Sequence, residues 1–322
     1  MLPTVDKQLL HNHKDFPDLL NILEVDTGVL AALVEKDYWI MHVLYGLQIL
    51  GLSFELKGGT SLSKAFQLIQ RFSEDIDIYI HPPEELGINE NPKNTSKKTV
   101  EDRKNYYNWL KENIAIDGII SVERDEAFDD LEYYRSGGIR LHYKSVTSPA
   151  PGLKEGVLLE VGFDNVAPNT PITITSWAYD RAAQTPNLEL VDNRAKDVRC
   201  YHPGYTFVEK LQTIATKYRR EQEGSTDHPN FMRQYYDVYS LLASPIVQAF
   251  IGTPEYEAHR LKRFPQADRQ KPIRENEAFL LNDPKIRADF EHRYKETAAL
   301  YYNGQPPLGQ LLDRIKENIE RP

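Results

Sequence analysis

Thiol chemistry is almost missing from this 322-residue chain: its single cysteine, Cys200, excludes an intrachain disulfide and any zinc cluster built from cysteines. A reducing cytoplasm suits that composition. Long apolar runs are missing too. No window approaches the roughly eighteen apolar residues of a membrane span, and the opening MLPTVDKQLLHNHKDF lacks the apolar stretch of a secretory signal. Positive charge is short: 39 Lys and Arg against 48 Asp and Glu leave a net −9, which argues against attraction of the whole surface to nucleic acid or anionic membrane. Neither a GxxxxGK[ST] loop nor a GxSxG turn occurs, so P-loop ATPases and serine-triad hydrolases of that type find no support.

What is there reads as globular, with 40% apolar and 27% charged residues, and 19 Tyr and 20 Pro that imply many loops. The length suits one large domain or two unequal ones with a sizeable core. Residues 7–24 and 28–50 read as helices, the second carrying Val29, Leu33, Val34, Ile40, Val43, Leu44 and Leu47 at helical spacing behind an N-cap at Asp26 or Thr27. Residues 54–56 and 76–80 read as strands on either side of a Gly58-Gly59 turn and a helix over 60–71, and the polar stretch from 81 to 100 reads as a long loop. A helix over 101–115 and strands at 118–124, 132–144, 157–163 and 171–176 follow. The fold class expected is α/β (α+β), a mixed sheet with flanking helices. Helices at 205–221, 229–243 and within 276–322 then place a domain boundary near residue 200, giving domains 1–200 and 201–322, the second helical.

Chemistry concentrates in KGGTSLSKAFQLIQRFSEDIDIYI, residues 57–80. Strand alternation puts Asp75 and Asp77 on one face, with Ile76 and Ile78 toward the core. An exposed edge face is the plain reading of such a pair. Two carboxylates that close raise one another's pKa unless a cation intervenes, and hard Mg2+ prefers oxygen ligands. Gly58 and Gly59 let main chain approach a ligand, and Thr60 and Ser61 add hydroxyls at a helix start suited to phosphate. A two-metal site needs a third acid, and VLLEVGFD offers Glu160 within an apolar strand and Asp164 at its exit.

KGGTSLSK followed by RFSEDIDI resembles the signature of DNA polymerase β-like nucleotidyltransferases, and specifically of the AbiEii/AbiGii toxin family of bacterial toxin–antitoxin and phage-abortive systems. EKDYWIMHVL (35–44) is similar to that family's helix before the turn, and FVEKLQTIATKYRR (207–220) and RQYYDVYSLL (233–242) are similar to its later Lys and Asp motifs. Gln234 stands where the last motif commonly has its first acid, while Asp237 remains. The resemblance spans about residues 28–245. It implies Mg2+ on Asp75, Asp77 and Glu160, preferred over Asp164, and an NTP triphosphate held by Gly58, Gly59, Thr60, Ser61 and Lys210. Lys210 and Asp237 would act from the helical half. It also implies a nucleotide transferred to an acceptor hydroxyl, that of the 3′ end of tRNA or of a protein side chain, and a cognate antitoxin.

Simpler explanations exist for the later residues. Lys210 and Lys217 fall on nearly one helix face, as surface lysines do, and Asp237 lies four residues after Arg233, the spacing of an ordinary ion pair. Lys64 and Arg71 are further candidates for phosphate. The stretch 259–274 gathers Arg260, Lys262, Arg263, Arg269, Lys271 and Arg274, a solvated helix end or an RNA-contacting patch. The rival class is a catalytically silent protein that binds a nucleotide or a partner; a Mg2+ phosphatase or kinase would use similar acids.

Overall fold

A computed structural model describes residues 7–150, 152–225, 231–269 and 272–319. The chain divides into two compact units, Met1–Ala65 with Ser73–Tyr201, and Phe66–Phe72 with His202–Pro322.

The first unit is built on a mixed seven-stranded sheet: β1 (Phe54–Lys57), β2 (Asp75–Ile80), β3 (Ile119–Asp125), β4 (Ser136–Tyr143), β5 (Val157–Gly162), β6 (Asn169–Ile174) and β7 (Ala195–Tyr201). Their order is β3-β4-β5-β2-β1-β7-β6. The β2–β5 and β1–β7 pairs are parallel and the other pairs antiparallel. Helices α1 (Phe16–Thr27), α2 (Ala31–Ile49), α3 (Gly58–Thr60), α4 (Lys97–Asn113) and α5 (Trp177–Ala182) complete the unit. The mixed α/β class expected from the sequence is the class observed.

Helix α2 is the central one because, Glu35, Lys36, Asp37 and His42 apart, mostly apolar residues cover it on every side, and such a helix belongs inside. It packs on α1, α5, β5 and β7. Its first turn follows Leu30, not Asp26 or Thr27, because Gly28 takes the left-handed conformation (φ 74°) that ends α1. The helix expected over 60–71 is cut short. It runs through α3 and a π-helical turn, Ser61–Ala65, and Gln67 at φ 54° then turns the chain away. Strand β7 and helix α5 were not expected, and β4 starts four residues later than read, after Tyr134 at φ 47°.

The second unit is helical: α6 (Pro203–Gln222), α7 (Arg233–Leu241), α8 (Pro245–Phe250), α9 (Pro254–Arg263), α10 (Gln266–Arg269), α11 (Glu277–Leu280), α12 (Pro284–Lys295) and α13 (Leu308–Ile319). Helix α6 is the hub against which α7, α8, α9 and α11 pack, and α13 closes on α7. The helix expected from 229 and the one expected to reach 322 each include positions outside the described residues, 229–230 and 320–322.

Candidate active site

Strand β2 alternates as its sequence requires: Ile76, Ile78 and Ile80 are buried, while Asp75, Asp77 and Tyr79 are half-buried on the opposite face. Parallel pairing sets Asp77 opposite Glu160 on β5, and Asp75 opposite Leu158. Burial, then Asp77, then Asp75 push the Glu160 carboxyl up to about 8; Lys154 and Lys57 oppose the rise. Asp164 lies past the end of β5, 3.2 Å from Lys57 Nζ. Among the described residues no group of three or more His, Cys, Asp or Glu forms a ready-made metal cage. What the acid face offers is oxygen donors of like sign in register on neighbouring strands, which is the donor chemistry of a hard divalent cation.

The glycine turn and the acid pair are coupled directly. Gly58 has φ 70°, and a β-carbon there would stand 1.8 Å from Asp77 Oδ2. Glycine is therefore required twice, by conformation and by the carboxylate lying on its backbone. Thr60 and Ser61 are buried with inward hydroxyls: Thr60 Oγ1 donates to the Asp75 carbonyl at 2.6 Å, and Ser61 faces the Cys200 thiol, which burial pushes up to about 12. Half-buried Ser63, two positions on, was missed; its hydroxyl donates to the Thr60 carbonyl at 3.3 Å.

Lys64 and Arg71 have structural employment. Lys64 Nζ lies 2.6 Å from buried Asp37. In the helical unit, Arg71 grips Asp237 with two bonds of 2.7 Å, Nε to Oδ1 and Nη2 to Oδ2, and Lys210 Nζ stands 3.0 Å from Oδ2. Asp237 is wholly buried. Burial alone would raise its pKa, yet Arg71 and Lys210 outweigh that and hold the carboxyl below the usual range. Beyond any i,i+4 pairing, Asp237 is thus held by a partner 166 positions away. Asp237 orients Lys210 and fastens the segment Phe66–Phe72, which is further tied by Phe72 N–H to the Leu300 carbonyl at 2.7 Å and by the Tyr302 hydroxyl to the Ile69 carbonyl at 3.2 Å.

Sequence reasoning also missed the charged triplet inside α2. Glu35, Lys36 and Asp37 are all buried. Glu35 accepts from Ser145, Val146 and Thr147; Lys36 pairs with Glu74; Asp37 takes Lys64 and the Trp177 amide. Three consecutive charges within an apolar helix were the available signal. The basic stretch lies along α9 and α10, and Arg260, Arg269 and Arg274 line a cleft of about 380 Å³ whose floor includes Phe207, Leu211 and Tyr256. Lys271 lies outside the described residues.

No curated protein sequence matches the chain. Among solved structures, an antigenic nucleotidyltransferase-like protein from Paracoccidioides brasiliensis is 16% identical, with 72% of this chain and 95% of that chain covered and a TM-score of 0.31, too loose a superposition to carry an assignment. Among the described residues no helix is long and apolar enough to cross a membrane. The model of the nucleotidyl transferase AbiEii toxin family, Type IV TA system, matches residues 42–318, a span that takes in the glycine turn, the acid pair, Glu160, Lys210 and Asp237. The chain belongs to the AbiEii nucleotidyltransferase toxin family of type IV toxin–antitoxin systems.

Proposed function

We propose that this toxin, in the bacterial cytoplasm, moves a nucleotide from an NTP to the hydroxyl at the 3′ end of tRNA with Mg2+ and releases pyrophosphate. The observation that carries the proposal is the register placing Asp77 opposite Glu160, with Asp75 two positions away on the same strand face. Burial, together with the like charges of Asp77 and Asp75, pushes the Glu160 carboxyl up to about 8, and a divalent cation would favour its ionised form. Asp75, Asp77 and Glu160 are the residues that would hold it. When bound, Mg2+ neutralises charge on the attacking and leaving oxygens of an in-line displacement.

The chain's own task is positioning. Gly58 and Gly59 present the main chain of the turn to the triphosphate, while Thr60 fixes that turn from inside through the Asp75 carbonyl. Lys210 supplies a cation for phosphate oxygens, and Asp237 sets its position. No covalent enzyme intermediate is needed. The antitoxin is the partner that the toxin family brings with it.

Incubation with each labelled NTP, Mg2+ and total cellular RNA tests the proposal. Label on tRNA with wild type and none with Asp75→Asn or Asp77→Asn supports it. Label on protein moves the acceptor to a side chain. Label nowhere, with NTP still bound, makes the chain a nucleotide-binding protein.

A further inference from the structure

One cation beside the acid face has no task in the transfer itself. Lys154, between β4 and β5, places Nζ 3.1 Å from Asp75 Oδ2 and 3.4 Å from Oδ1, and 5.1 Å from the centre of the Phe128 ring. A partly exposed lysine on a carboxylate is ordinarily a loose pair of little weight. The main chain of this one is clamped. Glu74 Oε2 accepts the Lys154 N–H at 2.9 Å, Lys36 Nζ donates to the Lys154 carbonyl at 2.7 Å, and Lys36 and Glu74 pair with each other at 3.3 Å.

Both clamp residues are buried, and a buried ion pair carries a desolvation cost that well-packed apolar residues would avoid. Its geometric effect is specific. Glu74 immediately precedes Asp75, so the clamp fixes both main-chain polar groups of Lys154 against the strand that bears the acids. The Lys154 side chain is 32% exposed and unbranched, so the ammonium is able to swing on a fixed Cα.

Resting on the nucleotidyl-transfer reading, we propose that Lys154 is a nucleotide-contacting residue held in reserve on Asp75. Its ammonium and a divalent cation are alternatives at that carboxylate, and when the carboxylate is shared with the divalent ion, Nζ turns to the triphosphate oxygens of the NTP. Only ion pairs exchange; no bond is made or broken. Lys154 thereby keeps the acid face partly neutralised without nucleotide and adds a positive charge to the phosphate site with it.

The test measures binding, not turnover. Mn2+ binding to nucleotide-free protein is followed by electron paramagnetic resonance, and binding of each of the four NTPs in Ca2+ by calorimetry, for wild type, Lys154→Gln, Lys154→Arg and Asp75→Asn. Lys154→Gln is expected to bind Mn2+ about tenfold more tightly and NTP about tenfold more weakly, the scale of removing one charge partly screened by solvent. Lys154→Arg, which keeps the charge, stays within about threefold of wild type on both. Unchanged affinities in Lys154→Gln overturn the proposal, as does a urea midpoint far below wild type, since that makes the lysine a folding contact. If wild type binds neither Mn2+ nor NTP, or Asp75→Asn binds Mn2+ as wild type does, the transferase reading falls as well.

Discussion

Asp237 in the helical unit and Asp75 in the sheet unit each meet a lysine at nearly the same distance, Lys210 at 3.0 Å and Lys154 at 3.1 Å. Their surroundings differ in sign. Asp237 is fully buried between two cations, because Arg71 holds it as well, and its carboxyl stays below the ordinary range. Asp75 is half-buried on a face shared with Asp77, and burial together with the charge gathered there drives Glu160 up to about 8. A carboxylate with more cation than it needs fixes chain; carboxylates gathered with too little invite a cation from outside. Both motifs look alike as sequence, an Asp with a Lys elsewhere, and the balance of charge separates anchor from candidate ligand.

The sharpest way to break this comparison is Asp237→Ala. It leaves Arg71 and Lys210 facing a buried gap, and removing one partner of a buried ion group costs about 3–5 kcal/mol. Urea unfolding should show that loss, or soluble expression should fail. Lys210→Ala is milder in stability, since Asp237 keeps both bonds to Arg71. A loss under about 1 kcal/mol for Asp237→Ala would remove the anchor role.

Acid reads out the buried side of the comparison next. Asp237 has a depressed pKa, so its contribution is lost as pH falls through that value. His42 on α2 adds a loss at higher pH. Its Nε2–H donates to the Asp117 carbonyl at 2.9 Å and its Nδ1 accepts from Asn193 at 3.0 Å, an arrangement only the neutral ring completes. Burial, against the Asp117 carbonyl, lowers its pKa to about 4. The unfolded ring gains a proton near pH 6.5 and the folded one only near 4, so the unfolded state binds more protons across that window. Stability should therefore drop by up to ~3 kcal/mol from about pH 6.5 to about 4. His42→Gln should flatten that part of a melting-temperature profile; an unchanged slope would assign it to other groups.

How far the sequence carried depended on whether a feature was local. The alternation of Asp75-Ile-Asp77-Ile is a property of one short strand, so the acid face was legible from residue order alone. Glu160 was legible only as an acid in apolar company; that it stands opposite Asp77 is a matter of parallel register between two strands distant in the chain. Arg71 read as one more basic residue after the turn, because nothing local tells that Gln67 breaks the helix and sends the segment to Asp237. Thr60 and Ser61 were correctly placed at the turn, yet the direction of their hydroxyls follows from how that turn packs on β2 and Cys200. Lys154 was invisible: a main-chain clamp has no side-chain signature.

Asp75→Asn and Asp77→Asn sharpen the other side. Asparagine keeps the volume and removes charge from a repelling group, so stability should stay within about 1 kcal/mol of wild type while transfer and Mn2+ binding disappear. Asp77→Asn also probes the contact with Gly58, whose backbone lies against Asp77 Oδ2. Unfolding on the scale of Asp237→Ala would mean that the acid face is structural after all.

The smallest effect is expected where charge is most nearly balanced, along the basic stretch of α9 and α10. Arg260 pairs with Glu257 at 2.9 Å, Arg263 has Glu209 at 3.7 Å, Arg269 donates to the Phe264 carbonyl at 2.7 Å, and Lys262 is exposed. Removing one phosphate contact should lower the salt slope of RNA binding by about 0.7–0.9, so charge reversal at Arg260, Lys262 and Arg263 changes it by about 2–3 if all three touch RNA. Local pairing argues for less, a change of about 1 carried by Lys262. The triple variant is titrated with tRNA at several salt concentrations and then with NTP, whose binding should be unaffected. A slope change of about 3 would restore the stretch as a full RNA-contacting patch; no change would leave RNA held elsewhere, or a protein as the acceptor.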